Sequence, residues 1–281
     1  MDKSQISVLG VGVTALPKAD ILEEVRKYLH NFQFSIFNFQ LRKGEPLVIF
    51  TPNPEIINYA QKDDNFRRIV NTAQINIPDG WGVVWAAKKL YNQKLERIAG
   101  VDLVGDLAKM AEKEGYRIGL IGGKGKIAVE ALECLKRKFP RLKGWAEEGP
   151  EIKIFNFQFF PPQRDPACGG TIFKEDVEKI VGKIQSEKTD ILFVGLGCPK
   201  QEYFIDRIKN QELRIKNRKP LVIMAVGGAF DYISGRVGRA PVWMRNAGLE
   251  WFYRLIREPW RLGRQIRGAE FFWRVWWGID K

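Results

Sequence analysis

The sequence predicts an α/β fold: a doubly wound, mostly parallel Rossmann-like sheet carrying an α-helical C-terminal appendage. Three observations predict it. Short apolar runs alternate with longer stretches of helical periodicity, the rhythm of parallel strands joined by crossover helices. The apolar runs stop repeatedly at glycine or at proline–polar turns, as at Thr51-Pro52-Asn53, Pro78-Asp79-Gly80, Gly122-Gly123, Gly195-Leu196-Gly197 and Gly227-Gly228. Composition then changes near residue 236, which divides the chain into a core, 1–235, and an appendage, 236–281.

In chain order, Ile6–Val13 reads as a first strand and Ala19–His30 as a helix, with Ile21, Leu22, Val25 and Leu29 at helical spacing. Residues 31–44 show no clear period and read as loop or weak hairpin. Leu47–Phe50 is the next strand, and Pro54 sits where the first turn of the following helix tolerates it, because no N–H is needed there. A short helix, Phe66–Thr72, leads to strand Gln74–Ile77, and helices follow over Trp81–Tyr91 and Val101–Glu114, the second ended by Gly115. Tyr116–Ile121 is a strand that turns through Gly122-Gly123-Lys124-Gly125 into helix Ile127–Phe139. Such a turn presents backbone N–H groups to phosphate. It lacks both the dinucleotide and the Walker pattern, and a tight strand-to-helix turn explains it equally well. Residues 145–172 break the rhythm with IKIFNFQFF, Pro-Pro and Gly-Gly, and read as an insertion or lid. Helix Lys174–Lys188, strand Asp190–Val194, a helix from Pro199 to about Asn210 and strand Leu221–Val226 complete the core. In the appendage a helix starts at Ala240-Pro241, another covers Leu249–Arg257, and Pro259 breaks or restarts it. On a continuous helix Arg254, Arg257, Arg261 and Arg264 would form one cationic face.

Composition narrows the function. No apolar run reaches the roughly 18–20 residues that span a bilayer. Three cysteines, Cys134, Cys168 and Cys198, fit neither a disulfide framework nor a zinc site. The net charge is +13, and residues 236–281 hold ten Lys+Arg against four Asp+Glu, hence +6 of it. Six of the nine Trp lie in the same stretch, and nine of its ten cations are Arg. That mixture suits the boundary between water and an anionic membrane surface.

In open α/β sheets ligands sit outside the carboxyl ends of the strands, which brings Thr51, Asn53 and Asp79 to one rim. Asp79 and Asn53 each also suit a helix cap. Arg97 suits an anion clamp or a surface ion pair, and Gln201 a ligand contact or an ordinary helix position. With His30 the sole histidine, a carboxylate is the better candidate base. No Asp-x-Asp pair is present to hold a divalent metal, so cations or backbone N–H groups would have to meet leaving-group charge. Neither a nucleotide-dependent oxidoreductase nor a basic nucleic-acid-binding protein is excluded by these residues alone.

Thr51-Pro-Asn-Pro-Glu55, Ile77-Pro-Asp-Gly80, Val194-Gly-Leu-Gly-Cys-Pro-Lys-Gln-Glu202, Val226-Gly-Gly-Ala-Phe-Asp231, Arg239-Ala-Pro-Val-Trp243 with Gly248-Leu-Glu-Trp251, and Glu258-Pro-Trp-Arg261 resemble, in order, the WecG/TagA/CpsF glycosyltransferases. These are bacterial enzymes of teichoic acid, enterobacterial common antigen and exopolysaccharide synthesis. The resemblance implies an inverting, metal-independent and cofactor-free transfer from a UDP-sugar, typically UDP-N-acetylmannosamine or its uronic acid. The acceptor would be polyprenyl-diphosphate-linked N-acetylglucosamine at the cytoplasmic face of the membrane, with the protein peripheral there. Carried over by motif, Asp79 would be the general base and Arg97 would steady the diphosphate. Thr51, Asn53 and Gln201 would line the acceptor side. Asp231 and the glycines Gly195, Gly197, Gly227 and Gly228 would hold UDP, joined by Gly122 and Gly123 if their turn binds phosphate. Arg254, Arg261 and Arg264 would close over the site at the membrane. Nucleic acid is not expected as a partner, and a homo-oligomer is left open. Segment 145–172 is longer than the family pattern.

Overall fold

A computed structural model describes residues 4–31, 45–152, 174–212, 219–259 and 262–278, with the backbone alone at 212 and 264–267. Six strands form one parallel sheet: β3 (Leu47–Phe50), β4 (Ile75–Asn76), β5 (Arg117–Gly122), β6 (Lys143–Glu147), β7 (Ile191–Gly195) and β8 (Val222–Ala225), in the order β4-β3-β8-β7-β5-β6. Every pairing in it is parallel. Strands buried on both faces read as unbroken apolar runs, and Leu47-Val48-Ile49-Phe50 and Val222-Ile223-Met224-Ala225 are buried throughout.

Alternate side chains serve two cores. Leu47, Ile49, Phe193, Val222 and Met224 face helices α1 (Lys18–Asn31), α5 (Gly100–Glu114), α6 (Ile127–Lys138) and α9 (Ala229–Ile233). Val48, Phe50, Leu192, Val194, Ile223 and Ala225 face α2 (Pro54–Ala60), α3 (Asp64–Asn71), α4 (Trp81–Tyr91), α7 (Lys174–Ser186) and α8 (Lys200–Glu212). The sheet is therefore wound on both sides, as the sequence rhythm predicts.

Two expectations are corrected. Ile6–Val13 is not one strand of the main sheet. It is a hairpin, β1 (Gln5–Val8) and β2 (Val11–Thr14), paired antiparallel with Val8 opposite Val11. Leu9 and Gly10 both adopt positive φ, 49° and 72°, which a two-residue hairpin turn of matching twist requires. Residues 145–147, the start of the expected insertion, instead belong to β6 at the sheet edge, with Trp145 buried and its indole N–H donating to Thr189 Oγ1 at 2.8 Å. The remainder of the expected insertion, 153–172, lies outside the described residues.

The appendage consists of α10 (Val242–Asn246), α11 (Glu250–Arg257) and α12 (Leu262–Trp276). The last of these docks on the core: Phe271 and Val275 are buried in the same cluster as Phe50, Ile57 and Val83. Among the described residues no helix is long and apolar enough to cross a membrane.

Candidate active site

The register fixes which residues share the rim. Ile75, Ile49, Met224, Phe193 and Leu120 form one row across the sheet. Two residues further on, Ile77, Thr51, Val226, Gly195 and Gly122 stand level at the carboxyl end. Asp79, Asn53 and the pair Gly227-Gly228 follow directly beyond. The helices leaving the neighbouring strands β5 and β7 pack on opposite faces, α6 on one and α8 on the other. In open α/β sheets ligands bind outside the strand ends where the helices diverge in this way.

Asp79 does not cap the helix that follows it. Gly80 is the residue before α4, with φ 97°, and no side chain caps that helix. The Asp79 carboxylate turns instead to the start of α5, where the Gly100 N–H donates to it. A Cβ on Gly100 would lie 3.3 Å from Thr51 Cγ2 and 3.8 Å from Asp79 Oδ2, so this glycine lets helix α5, Thr51 and Asp79 meet. Thr51 is buried and Asp79 half-buried. Burial pushes the Asp79 carboxyl up to about 7, Glu250 adds to the rise, and Arg97, the Gly100 N–H and Arg239 offset part of it. A carboxyl poised near neutral pH beside two cations has the character of a general base.

Charges around Asp79 form a chain. Arg97 Nη1 lies 3.3 Å from Glu250 Oε2, and Arg239 Nε lies 3.3 Å from Glu250 Oε1. Arg239 also forks onto Asp102, with Nη2 3.0 Å from Oδ2. Burial would raise the Asp102 carboxyl, but the Arg239 fork outweighs it and holds Asp102 below its ordinary value. Arg97 further stacks 5.8 Å from the ring centroid of Trp81. Arg97 thus joins the Asp79 rim as expected. Arg239 and Glu250 were given no role by sequence reasoning, although both lie inside motifs that carried the family resemblance. Their roles are invisible without the fold, because the core partners Arg97 and Asp102 lie 153 and 137 residues away in the chain.

Asn53 follows the plainer of its two readings: its Oδ1 accepts from Ile56 N–H at 3.0 Å and caps α2. Gln201 is almost fully buried; its Oε1 accepts from Gly227 N–H and its Nε2 donates to Glu202, each at 2.9 Å. It thereby holds the turn after β8. Glu202 is wholly buried, and desolvation pushes its carboxyl up to about 7.

The glycines divide into two kinds. A Cβ on Gly122 would stand 2.6 Å from the Gly195 backbone, and one on Gly195 would stand 2.7 Å from the Phe230 ring, so both are required by close packing. Gly123 donates to Gly195 O at 3.0 Å. Gly197 and Gly227 have φ of 76° and 52°, and among the described residues none beyond their chain neighbours comes within 4 Å of where their Cβ would be. These two leave open space on their Cα side at the rim, while Gln201 engages Gly227 N–H and Gly197 O. In the turn after β5, Gly125 N–H already donates to Glu148 Oε1 at 2.9 Å.

The expected continuous helix through residues 254–264 is interrupted. Helix α11 ends at Arg257, Glu258 leaves the helical conformation with ψ 70°, and α12 begins only at Leu262. Arg254 turns inward, 3.6 Å from Asp231 Oδ2, 4.8 Å from the Tyr232 ring centroid and close against Gly228. Arg257 lies over Tyr253 instead. Arg261 and the Arg264 side chain lie outside the described residues.

Comparison with known proteins identifies the family. The Glycosyl transferase WecG/TagA/CpsF family matches residues 6–280. A protein of Bacillus subtilis (strain 168) named N-acetylglucosaminyldiphosphoundecaprenol N-acetyl-beta-D-mannosaminyltransferase is 32% identical over 221 residues, 78% of this chain and 75% of that one. A Staphylococcus aureus (strain MW2) protein of the same name is 28% identical over 272 residues, 97% of this chain and 92% of the relative.

Proposed function

The chain belongs to the WecG/TagA/CpsF family of glycosyl transferases, and on that premise we propose that it moves an N-acetylmannosamine-type sugar from a UDP-sugar to N-acetylglucosamine on a polyprenyl diphosphate. The relatives' names supply the sugar and the acceptor. The observation that carries the reading is Asp79, a carboxyl near neutral pKa at the start of α5 and flanked by Arg97 and Arg239.

The chemistry is one displacement with inversion. The acceptor hydroxyl oxygen bonds to the anomeric carbon of the donor, its proton passes to the Asp79 carboxylate, and the bond from that carbon to the UDP oxygen breaks. UDP departs carrying the electron pair. Arg97 neutralises diphosphate on the Asp79 side of the rim. Thr51 shapes the acceptor side, with Asn53 capping α2 beside it, and Gln201 acts through the Gly227 turn that it holds. UDP lies across the ends of β7 and β8, in the space that Gly197 and Gly227 leave by lacking a Cβ and beside Asp231 and Gly228. Gly122, Gly123 and Gly195 hold these strand ends close. Arg254 meets the charge on the leaving diphosphate, with Arg261 and Arg264 of the same appendage as further cations.

In this reading the protein works as a peripheral enzyme at the cytoplasmic membrane face. Its appendage exposes Trp243, Trp251, Ile256, Trp273, Trp276 and Trp277, each more than half exposed. Aromatic and arginine side chains together favour an anionic lipid boundary. The test is incubation of the purified protein with N-acetylglucosaminyl-diphospho-polyprenol and a panel of UDP-sugars, scoring UDP release. UDP-N-acetylmannosamine or its uronic acid should give acceptor-dependent release; turnover with neither sugar overturns the proposed donor.

A further inference from the structure

Helix α4 begins two residues after Asp79 and carries, along the edge of its core face, a stripe that lines a groove. Trp81, Val84, Trp85 and Lys88 are spaced i, i+3, i+4 and i+7, which places them along one side of the helix. With Lys94, Ala247 and Gly248 they line an open groove of about 480 Å³. A volume of that size falls within the range of ordinary small-molecule sites, about 300–1,000 Å³.

The groove is built rather than incidental. The indole N–H of Trp81 donates to Arg245 O at 3.0 Å, which ties the head of α4 to the end of α10. Gly248 has φ 76°, and a Cβ there would meet the Trp81 ring at 2.8 Å. Trp85 packs against Phe272 of α12, with ring centroids 5.4 Å apart. Core and appendage therefore share the walls. One end of the groove starts at Trp81, whose ring lies against Arg97 beside the Asp79 carboxyl. From there the stripe runs about 10 Å along α4, at 1.5 Å per residue. Its lining is aromatic and aliphatic, with the cations Lys88 and Lys94 beside it.

The lining suits an occupant that is apolar and elongated, and Arg97 against Trp81 suits an anionic head at the end of the groove nearest Asp79. We propose that this groove seats the leading isoprene units of a polyprenyl diphosphate, with the diphosphate at the Arg97 end. The inference rests on the transferase reading for the identity of the lipid. It adds a site on the protein for the lipid chain, separate from the exposed appendage surface that would meet the bilayer. The chain would then leave the groove past Trp85 and Phe272 toward the exposed face of α12.

Calorimetry without detergent or membrane tests this independently of turnover, using farnesyl diphosphate and ethyl diphosphate as probes. Each buried methylene contributes about 0.8 kcal/mol, so seating even a few carbons should make farnesyl diphosphate bind at least about tenfold more tightly. Ala247→Trp fills the groove from an exposed position without removing any packing. It should abolish the farnesyl advantage and leave ethyl diphosphate affinity and anionic-liposome binding unchanged. Trp85→Ala, which widens the groove, should also weaken farnesyl diphosphate selectively. Equal affinity of the two probes for the wild-type protein overturns the proposal. So does an Ala247→Trp variant that keeps the farnesyl advantage, or one whose effect is a changed oligomeric state in sedimentation, which would make the groove a subunit interface. A retained farnesyl preference with no transfer to any lipid-linked acceptor would uphold the groove and remove the transferase reading instead.

Discussion

Asp79 carries the sharpest predictions at the scale of single residues. As general base it should account for a factor of about 10²–10⁴ in kcat. Asp79→Asn is expected to lose that factor in the UDP-release assay while its circular dichroism and UDP affinity stay at wild-type values; near-wild-type turnover would remove the assigned role. The base must be ionised, so kcat/KM should climb with pH along an acidic limb centred near 7. Glu250 helps to hold that value up. Glu250→Gln removes one negative neighbour, and the limb should move to lower pH in the measured pH–rate profile. Stability follows the opposite course. Between the ordinary value of 3.8 and about 7, the folded protein keeps a proton that the unfolded chain has lost. Stability therefore falls as pH rises through that window. The gain in Tm of Asp79→Asn over wild type should accordingly be larger at about pH 8 than at about pH 5, a contrast that thermal melts at the two values will show.

At the scale of elements, the strand ends show why glycine recurs. Gly122 has φ 114° and faces the Gly195 backbone at a distance no Cβ tolerates. Gly122→Ala should cost about 1–3 kcal/mol from overpacking, with added strain from the positive φ, read as a Tm lowered by several degrees. Gly227 has no such neighbour, and its positive φ alone constrains it. In the sequence both look alike, as glycine after an apolar run. The distinction appears only when β5 and β7 lie side by side. The same holds for Asn53 and Asp79. Each stands just after a strand and just before a helix, yet Asn53 caps its own helix while Asp79 reaches across to α5. Local sequence describes both ends of that choice, and the position of α5 makes it.

The whole molecule is joined through its C-terminal helices. Phe271 and Val275 bury α12 against the core, whereas Trp273, Trp276 and Trp277 of the same region point outward. Deleting residues 236–281 would uncover part of the core as well as remove the aromatic surface. Membrane binding is better tested by Trp273→Ser, Trp276→Ser and Trp277→Ser together. That variant should melt within a few degrees of wild type and lose most binding to anionic liposomes in flotation; full retention of binding would place the membrane contact elsewhere.

Periodicity and strand-end chemistry made the parallel α/β core, its strand order along the chain and the rim residues Thr51, Asp79 and Gly227 legible from sequence, because they depend on neighbours a few residues away. The N-terminal hairpin and edge strand β6 were misread for a related reason: two-residue turns and isolated strands carry too little periodic signal. The chain Arg97–Glu250–Arg239–Asp102, the burial of Gln201 and Glu202, and the inward turn of Arg254 onto Asp231 were decided by tertiary structure alone. Charge pairing and desolvation depend on distances across the fold. Spacing in the sequence gives no measure of those distances, whether the partners lie 153 residues apart, as Arg97 and Glu250 do, or 11, as Arg239 and Glu250 do.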